Sequence, residues 1–199
     1  MSKEVLFVIL DQYAEWEAAY LASALHMLSE GMYTVKTVSL TKEPVTSIGG
    51  FHVLPDYGLE NMPKGYAGLI LIGGMSWRTE QAKLVDTAVR DAMKENKVIG
   101  GICDAAAFLG TVGVLNHVNH TANDLNDLKT WAKDAYTGES RYQMQQAVRD
   151  ENVVTANGTA ALEFAREVLY ILNAAPEKKI EEWYQFHKLG FYGAPMPEM

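Results

Sequence analysis

The segment Lys97-Val-Ile-Gly-Gly-Ile-Cys103-Asp-Ala-Ala-Ala-Phe-Leu-Gly110 decides how this chain folds. Its apolar residues Val98 to Ile102 predict a short buried strand, and the residues after Cys103 predict a helix. A strand, a tight turn and a helix, with a nucleophilic side chain at the turn, form a nucleophile elbow. Gly101 and Ala105 are small, as the sharp turn requires. We therefore expect Cys103 to lie at the start of a helix.

Predicted strands and helices alternate along the rest of the chain. Val5 to Leu10 is continuously apolar, which is typical of a strand buried in a parallel sheet, and helical spacing follows from Trp16 to Leu28. The pair Gly49-Gly50 predicts a hairpin within residues 45–54. Further strands are predicted at 33–40, 69–72, 147–149 and 153–156, and further helices at 79–96, 125–131, 160–172 and beyond Pro176. This alternation indicates an α/β fold with a mainly parallel central sheet.

Polar and small residues follow three of the predicted strands. Glu15 and Glu17 come after the first strand, Gly73-Gly74 after the strand at 69–72, and Cys103 after the elbow strand. The carboxyl ends of parallel strands meet at one edge of the sheet, where α/β proteins place their sites. We therefore expect these residues to share that edge.

This grouping suggests chemistry at a thiol. A helix N-terminus lowers a thiol pKa and so favours the nucleophilic thiolate of Cys103. The backbone N–H groups of Asp104 and Gly74 are candidates for binding an oxyanion. His120 is the candidate general base, and Glu17 is the candidate carboxylate that accepts or relays the thiol proton.

Each of these residues also has a structural explanation. A lone cysteine is more often a small buried apolar residue than a nucleophile. Gly73-Gly74 is compatible with a simple turn, and Glu17 with a carboxylate favoured by a helix dipole. His117 competes with His120 for the role of base, and either is compatible with an ordinary loop position.

Composition narrows the classes of partner. The net charge is −8 and no Lys/Arg cluster is present, which argues against nucleic acid or an anionic membrane as the partner. No apolar run approaches the length of a membrane span, and the N-terminus lacks the pattern of a signal peptide, so we expect a cytoplasmic protein. A single cysteine agrees with a reducing compartment. No metal-ligand spacing or phosphate loop is visible, so we expect neither metal nor cofactor, and a small molecule as substrate or ligand.

Four motifs together resemble the ThiJ/PfpI superfamily, also called the DJ-one/PfpI group, which is related to class I glutamine amidotransferases. They are VLFVIL followed by Ala-Glu-Trp-Glu17, LILIGG74, VIGGICDAAAFL and VVTANGTAALEFAREVL. The resemblance covers residues 3 to 175 and implies a flavodoxin-like three-layer sandwich that forms a homodimer. It also implies Cys103 as nucleophile, Glu17 as its carboxylate partner, and the backbone of Gly74 and Asp104 as the oxyanion hole. Residues 1–175 would form this domain, and residues 176–199 would be a helical, aromatic extension packed on it.

The chain departs from the family pattern at two points. Family members described as proteases carry histidine directly after the cysteine, where this chain has Asp104. Amidotransferase relatives use a late histidine, and none lies in Thr155 to Asn173. The carboxylate of Asp104 either opposes ionisation of the thiol or points away toward its own helix N-terminus.

Three functional hypotheses remain from the sequence. The first is a cysteine-dependent hydrolase or amidase-like enzyme that acts on a small amide or carbonyl substrate. The second is a redox or stress sensor in which Cys103 is oxidised. The third is a ligand-binding protein that uses the same pocket without chemistry, with the aromatic segment Trp183 to Tyr192 as a lid or subunit contact.

Overall fold

A computed structural model describes residues 2–197 of the chain, which fold around a seven-stranded sheet. The order of its strands is β5-β2-β1-β6-β7-β9-β8, and every neighbouring pair is parallel except β8 and β9. The strands of this sheet are β1 Lys3–Val8, β2 Tyr33–Ser39, β5 Tyr57–Gly58, β6 Gly68–Leu71, β7 Val98–Ile102, β8 Ala147–Asp150 and β9 Val153–Ala156. The α/β fold with a mainly parallel sheet is confirmed.

Six α-helices cover the two faces of the sheet. They are α1 Glu15–Leu28, α2 Val85–Lys94, α3 Asp104–Val112, α4 Leu125–Ala132, α5 Ala161–Leu172 and α6 Glu177–Leu189. Buried side chains of α1, α5 and α6 share one apolar cluster, and those of α2, α3 and α4 share the other. The chain is therefore the three-layer sandwich that the sequence predicts.

The hairpin within residues 45–54 is present but small. Its strands β3 Val45–Thr46 and β4 His52–Val53 pair antiparallel as a separate two-stranded sheet. Gly50 lies in the turn with φ +88°, a conformation that glycine adopts without strain.

The helix predicted from Thr79 to Asn96 is shorter than expected. A 3-10 turn covers Gln81–Leu84, and α2 follows it. The N-cap position of this turn is Glu80 rather than Thr79, although the Thr79 hydroxyl oxygen accepts a hydrogen bond from the N–H of Ala82 at 3.4 Å.

The edge strand β5 was missed by the sequence analysis. It is only two residues long, and the preceding Pro55-Asp56 is typical of a turn. Asp56 holds this segment beside β2, since its carboxylate accepts hydrogen bonds from the N–H of Thr37 at 2.9 Å and from the ammonium group of Lys36 at 2.8 Å.

The C-terminal helix α6 packs on α1 and α5 rather than standing apart. Ile180 and Trp183 are buried in the same cluster as those helices, and the Trp183 ring meets Tyr20 edge-on at 6.2 Å. The tail beyond α6 is exposed at Phe191. Among residues 2–197, no helix has both the length and the apolar character needed to cross a bilayer.

Candidate active site

The elbow has the geometry that its sequence predicts. Strand β7 ends at Ile102, α3 begins at Asp104, and Cys103 between them has φ +61° and ψ −132°. A positive φ is strained for a residue with a side chain, and such strain is concentrated at functional sites. A Cβ at Gly101 would stand 2.7 Å from the end of the Leu109 side chain and 3.2 Å from the Ala105 carbonyl oxygen, so this side of the turn favours a small residue.

The residues of the site follow four strands that are neighbours in the sheet, and they lie at one edge of that sheet. Cys103 follows β7, the neighbouring β6 leads to Gly73-Gly74, β1 leads to α1 with Glu17, and β9 leads to Gly158. The thiol lies among these residues: a Cβ on Gly158 would stand 2.8 Å from its sulfur, and one on Gly73 would stand 2.6 Å from the Cys103 Cβ. The predicted meeting of these elements at one edge is therefore observed.

Glu17 carries a carboxyl group into this crowded space. Only 1% of the residue is exposed, and burial raises the pKa of its carboxyl to about 7. The Cys103 thiol and the N–H of Gly73 lower that pKa, but by less than burial raises it. The buried Oε2 atom has no hydrogen-bond partner among residues 2–197. The carboxyl is thus poised to hold or release a proton near neutral pH.

Burial also raises the pKa of the Cys103 thiol, and the negative charge of Glu17 raises it further. The position of Cys103 at a helix N-terminus predicts the opposite direction, a lowered pKa. The Asp104 N–H and the Asn123 amide do act in that direction, but desolvation outweighs them. Cys103 and Glu17 are therefore a coupled pair. Each group ionises more easily while the other is protonated and neutral than after the other has become negatively charged.

Asn123 was not singled out from the sequence. Its Nδ2 donates to the Cys103 sulfur at 3.3 Å, and its Oδ1 accepts the N–H of Gly158 at 2.8 Å. The loop that carries it is anchored to β9, because the N–H of Thr121 donates to Thr155 Oγ1 at 2.8 Å. An amide in a loop has no local motif, and its neighbour Asp124 is recognisable only as the N-cap of α4.

The Asp104 carboxylate is bound by Arg78. The Arg78 guanidinium donates from Nε and Nη2 to the two Asp104 oxygens at 2.8 and 3.0 Å. Of the two alternatives left open by the sequence, the charge of Asp104 does raise the pKa of the Cys103 thiol, and the carboxylate pairs with Arg78 rather than with its own helix N-terminus.

His120 is not brought to the thiol. It is fully buried, its Nδ1 meets the Val118 carbonyl oxygen at 2.8 Å, and its Nε2 meets the Tyr136 hydroxyl at 2.7 Å. Burial lowers the pKa of the ring, which favours the neutral form. With both ring nitrogens engaged in the core, His120 holds its loop together and is not placed to accept a proton from Cys103. His117, its competitor in the sequence, is exposed.

At Gly74 the backbone conformation and the closeness of the Tyr13 backbone leave room only for glycine. Its φ is +152°, and a Cβ would stand 2.6 Å from the Cα of Tyr13. The two chain segments are joined by hydrogen bonds from Ala14 N to Gly73 O at 2.9 Å and from Met75 N to Gln12 O at 3.0 Å. Neither bond uses the N–H of Gly74. Its candidacy as an oxyanion donor is compatible with this arrangement.

Comparison with known proteins places the chain among relatives along almost its whole length. The model of the DJ-1/PfpI family matches residues 3–170. A Bacillus subtilis (strain 168) protein named "Uncharacterized protease YdeA" is 41% identical over 191 residues, which cover 96% of this chain and 93% of that protein.

Solved structures agree with the sequence comparison. The DJ-1 superfamily protein Atu0886 from Agrobacterium tumefaciens is 34% identical, with a TM-score of 0.85 over 94% of this chain and 98% of its own. A thiJ/pfpI family protein from Bacillus anthracis is 31% identical, with a TM-score of 0.88 over 94% of this chain and 91% of its own.

Proposed function

The chain belongs to the DJ-1/PfpI family, and from that premise we propose that it is a cysteine-dependent enzyme acting on a small amide or carbonyl substrate. The nucleophile is Cys103. The observation that carries this proposal is the elbow thiol paired with the buried Glu17, whose pKa is raised to about 7. A strained nucleophile beside a carboxyl that titrates near neutral pH is the combination that acyl-transfer chemistry uses.

Glu17 takes the place of the histidine base. A group with a pKa near the working pH is the most effective proton carrier, and such catalysis contributes roughly 10²- to 10⁴-fold. Because burial keeps the Cys103 thiol protonated, the carboxylate of Glu17 removes the proton while the sulfur forms its bond to the carbonyl carbon. The C=O π electrons then move to the oxygen, which gains negative charge.

Backbone donors stabilise that oxygen. The N–H of Asp104 lies at the N-terminus of α3 beside the thiol, and the N–H of Gly74 is the second donor in this proposal. With an amide substrate, Glu17 returns the proton to the departing nitrogen as the C–N bond breaks and a thioester remains. Glu17 then takes a proton from water, which attacks the thioester, and returns it to the sulfur as the C–S bond breaks.

The space around the sulfur limits the substrate. Gly73 and Gly158 lie so close to Cys103 that a methyl group at either position would clash with it. Asn123 covers a further side through its amide. This crowding favours a small amide, ester or 2-oxoaldehyde as the substrate over a folded polypeptide.

A substrate panel tests this function. Purified protein is incubated with small amides, esters and 2-oxoaldehydes, and turnover is compared with that of the Cys103→Ala and Glu17→Gln variants. We expect loss of turnover in the first and a decrease of about 10²-fold or more in the second. The matched control is His117→Gln, an exposed loop histidine, which should retain full turnover. Turnover that survives in Cys103→Ala would exclude the proposal.

A redox sensor is the second candidate, supported by the same carboxyl. A protonated Glu17 is a hydrogen-bond donor beside the sulfur and would stabilise an oxidised, negatively charged sulfinate. Peroxide converts Cys–SH to Cys–SOH with release of water, and a second equivalent converts it to Cys–SO₂H. Intact mass after mild peroxide should then show a gain of two oxygens in wild type and less in Glu17→Gln. Equal oxidation of both proteins would remove this candidate.

We also propose that the protein acts as a cytoplasmic homodimer. The reactive thiol needs a reducing compartment. Large apolar side chains are exposed at Trp16, next to Glu17 in the sequence, at Met75, next to Gly74, and at Ile48 and Phe51 in the hairpin segment. These side chains supply an apolar surface that a second copy would cover. Light scattering should give twice the chain mass of 22.1 kDa, and a monomer at micromolar concentration would contradict the dimer.

A further inference from the structure

Arg78 joins side chains from two helices that border the thiol. Besides its two bonds to Asp104, it donates from Nη1 and Nη2 to the Asp127 carboxylate at 3.0 and 2.5 Å. The face of its guanidinium lies 4.7 Å from the centre of the Trp131 ring. The Arg78 guanidinium therefore donates to two carboxylates and also stacks on an aromatic ring. These contacts hold it in one position, because its planar set of N–H donors matches the geometry of carboxylates.

The three charged residues belong to three different segments of the site. Arg78 lies in the loop that follows Gly74, Asp104 opens α3, and Asp127 lies in the first turn of α4. Helix α4 begins directly after the loop that carries Asn123. The cluster therefore ties the proposed oxyanion donor, the elbow and the amide on the sulfur into one arrangement.

Within residues 2–197, the charges that act on Cys103 are those of Glu17 on α1 and Asp104 on its own helix, and both raise the thiol pKa. Asp127 on α4 is linked to Asp104 through Arg78, which pairs with both carboxylates. Arg78 is the cation among these groups, and it holds the Asp127 pKa below its usual value. Loss of Arg78 would leave two unpaired carboxylates at the mouth of a site whose thiol must lose a proton.

We propose that Arg78 is a positioning residue for Cys103, which binds and neutralises the Asp104 carboxylate so that the thiol can give up its proton. The inference rests on the proposed function, in which this thiol is the nucleophile. Arg78 makes no contact with substrate in this account. A purely structural brace between α3 and α4 would instead change stability and leave the ionisation of the thiol unchanged.

The pH dependence of thiol alkylation distinguishes the two roles without any substrate. Iodoacetamide reports on Cys103 alone, since the chain has one cysteine, and intact mass follows the reaction. We expect Arg78→Gln to react about three- to tenfold more slowly than wild type at pH 7, since tenfold corresponds to one pKa unit. Asp104→Asn should react faster than wild type, and adding it to Arg78→Gln should restore most of the rate. Arg78→Lys should recover part of the rate because it restores the charge.

The matched control is Arg90→Gln, which removes an exposed arginine that pairs with Asp86 on α2. It should alkylate like wild type at every pH. The proposal is wrong if Arg78→Gln and Asp104→Asn both show the wild-type pH profile, whatever their stability. Should Arg78→Gln not fold, Asp104→Asn decides alone, because it removes the charge while Arg78 stays, and an unchanged rate overturns the proposal.

Turnover on the substrate panel is read separately. If the pH profile of alkylation is shifted in Arg78→Gln and Asp104→Asn but wild type turns over no substrate, the role of Arg78 is supported and the proposed enzyme is contradicted. If both variants keep the wild-type pH profile while turnover depends on Cys103, the enzyme is supported and the role of Arg78 is contradicted.

Discussion

The carboxyl group of Glu17 is buried, and its protonation affects both the stability of the fold and the proposed chemistry at Cys103. Burial raises its pKa from 4.5 to about 7, so between these values the folded protein holds a proton that the unfolded chain releases. Stability therefore falls as pH rises through this range, by about 3 kcal/mol in total. Such a cost is typical of a group kept for function rather than for folding.

The Glu17→Gln variant tests this linkage. Its neutral amide has nearly the shape of the protonated carboxyl, so we expect a small stability difference from wild type at pH 4.5. The variant should gain roughly 3 kcal/mol over wild type between pH 4.5 and pH 8. Urea unfolding at both pH values measures the difference. Exposed Glu43→Gln should follow wild type at each pH, and a constant difference for Glu17→Gln would refute the raised pKa.

Local sequence predicts the positions of some site residues and not of others. Cys103 is identifiable because it directly follows the apolar strand β7, and Glu17 because it lies in the first turn of the helix that comes after β1. Asn123 and Arg78 reach the site from loops whose sequence has no motif, so only the folded chain shows their contacts. His120 was chosen for its residue type and spacing, yet its ring is held in the core by Tyr136.

At the scale of elements, the turn after β9 closes over the thiol. A Cβ on Gly158 would stand 2.8 Å from the Cys103 sulfur and 3.3 Å from Glu17 Oε1. We expect Gly158→Ala to slow alkylation of Cys103 at least tenfold and to cost about 1 to 3 kcal/mol of stability, because overpacking displaces side chains from their preferred positions.

Gly65→Ala is the control for that change. Nothing lies within 4 Å of a Cβ at Gly65, so this variant should alkylate at the wild-type rate and unfold at nearly the same urea concentration. Wild-type alkylation of Gly158→Ala would show that the thiol is more open than its contacts indicate.

The elements that were predicted well are those whose signal is local. The apolar runs of β1, β6 and β7 stand out because parallel strands are buried on both faces. Strand β5 was missed because its pairing depends on Asp56 binding β2, a contact that residue type alone does not reveal.

At the scale of the whole molecule, α6 completes one apolar layer instead of forming a separate unit. Trp183 is 1% exposed within that layer, and Glu163 of α5 accepts a hydrogen bond from Tyr184 at 3.1 Å. We propose that the C-terminal segment is part of the same cooperative domain as residues 1–175.

Trp183→Ala tests this proposal. Truncation of a buried tryptophan should cost about 3 to 5 kcal/mol in a single cooperative urea transition. Phe191→Ala, at a tail residue that is 67% exposed, should change stability by less than about 0.5 kcal/mol. Two separate transitions, or an unchanged midpoint for Trp183→Ala, would contradict the single domain.

The coupling of Cys103 with Glu17 is the centre of this account, and the pH profile of iodoacetamide alkylation measures it most directly. In wild type we expect two steps, one near pH 7 as the pair loses its first proton and one above the usual range of a thiol as it loses the second. Glu17→Gln should show one step only, because the partner no longer titrates. A single step with the same midpoint in both proteins would contradict the account.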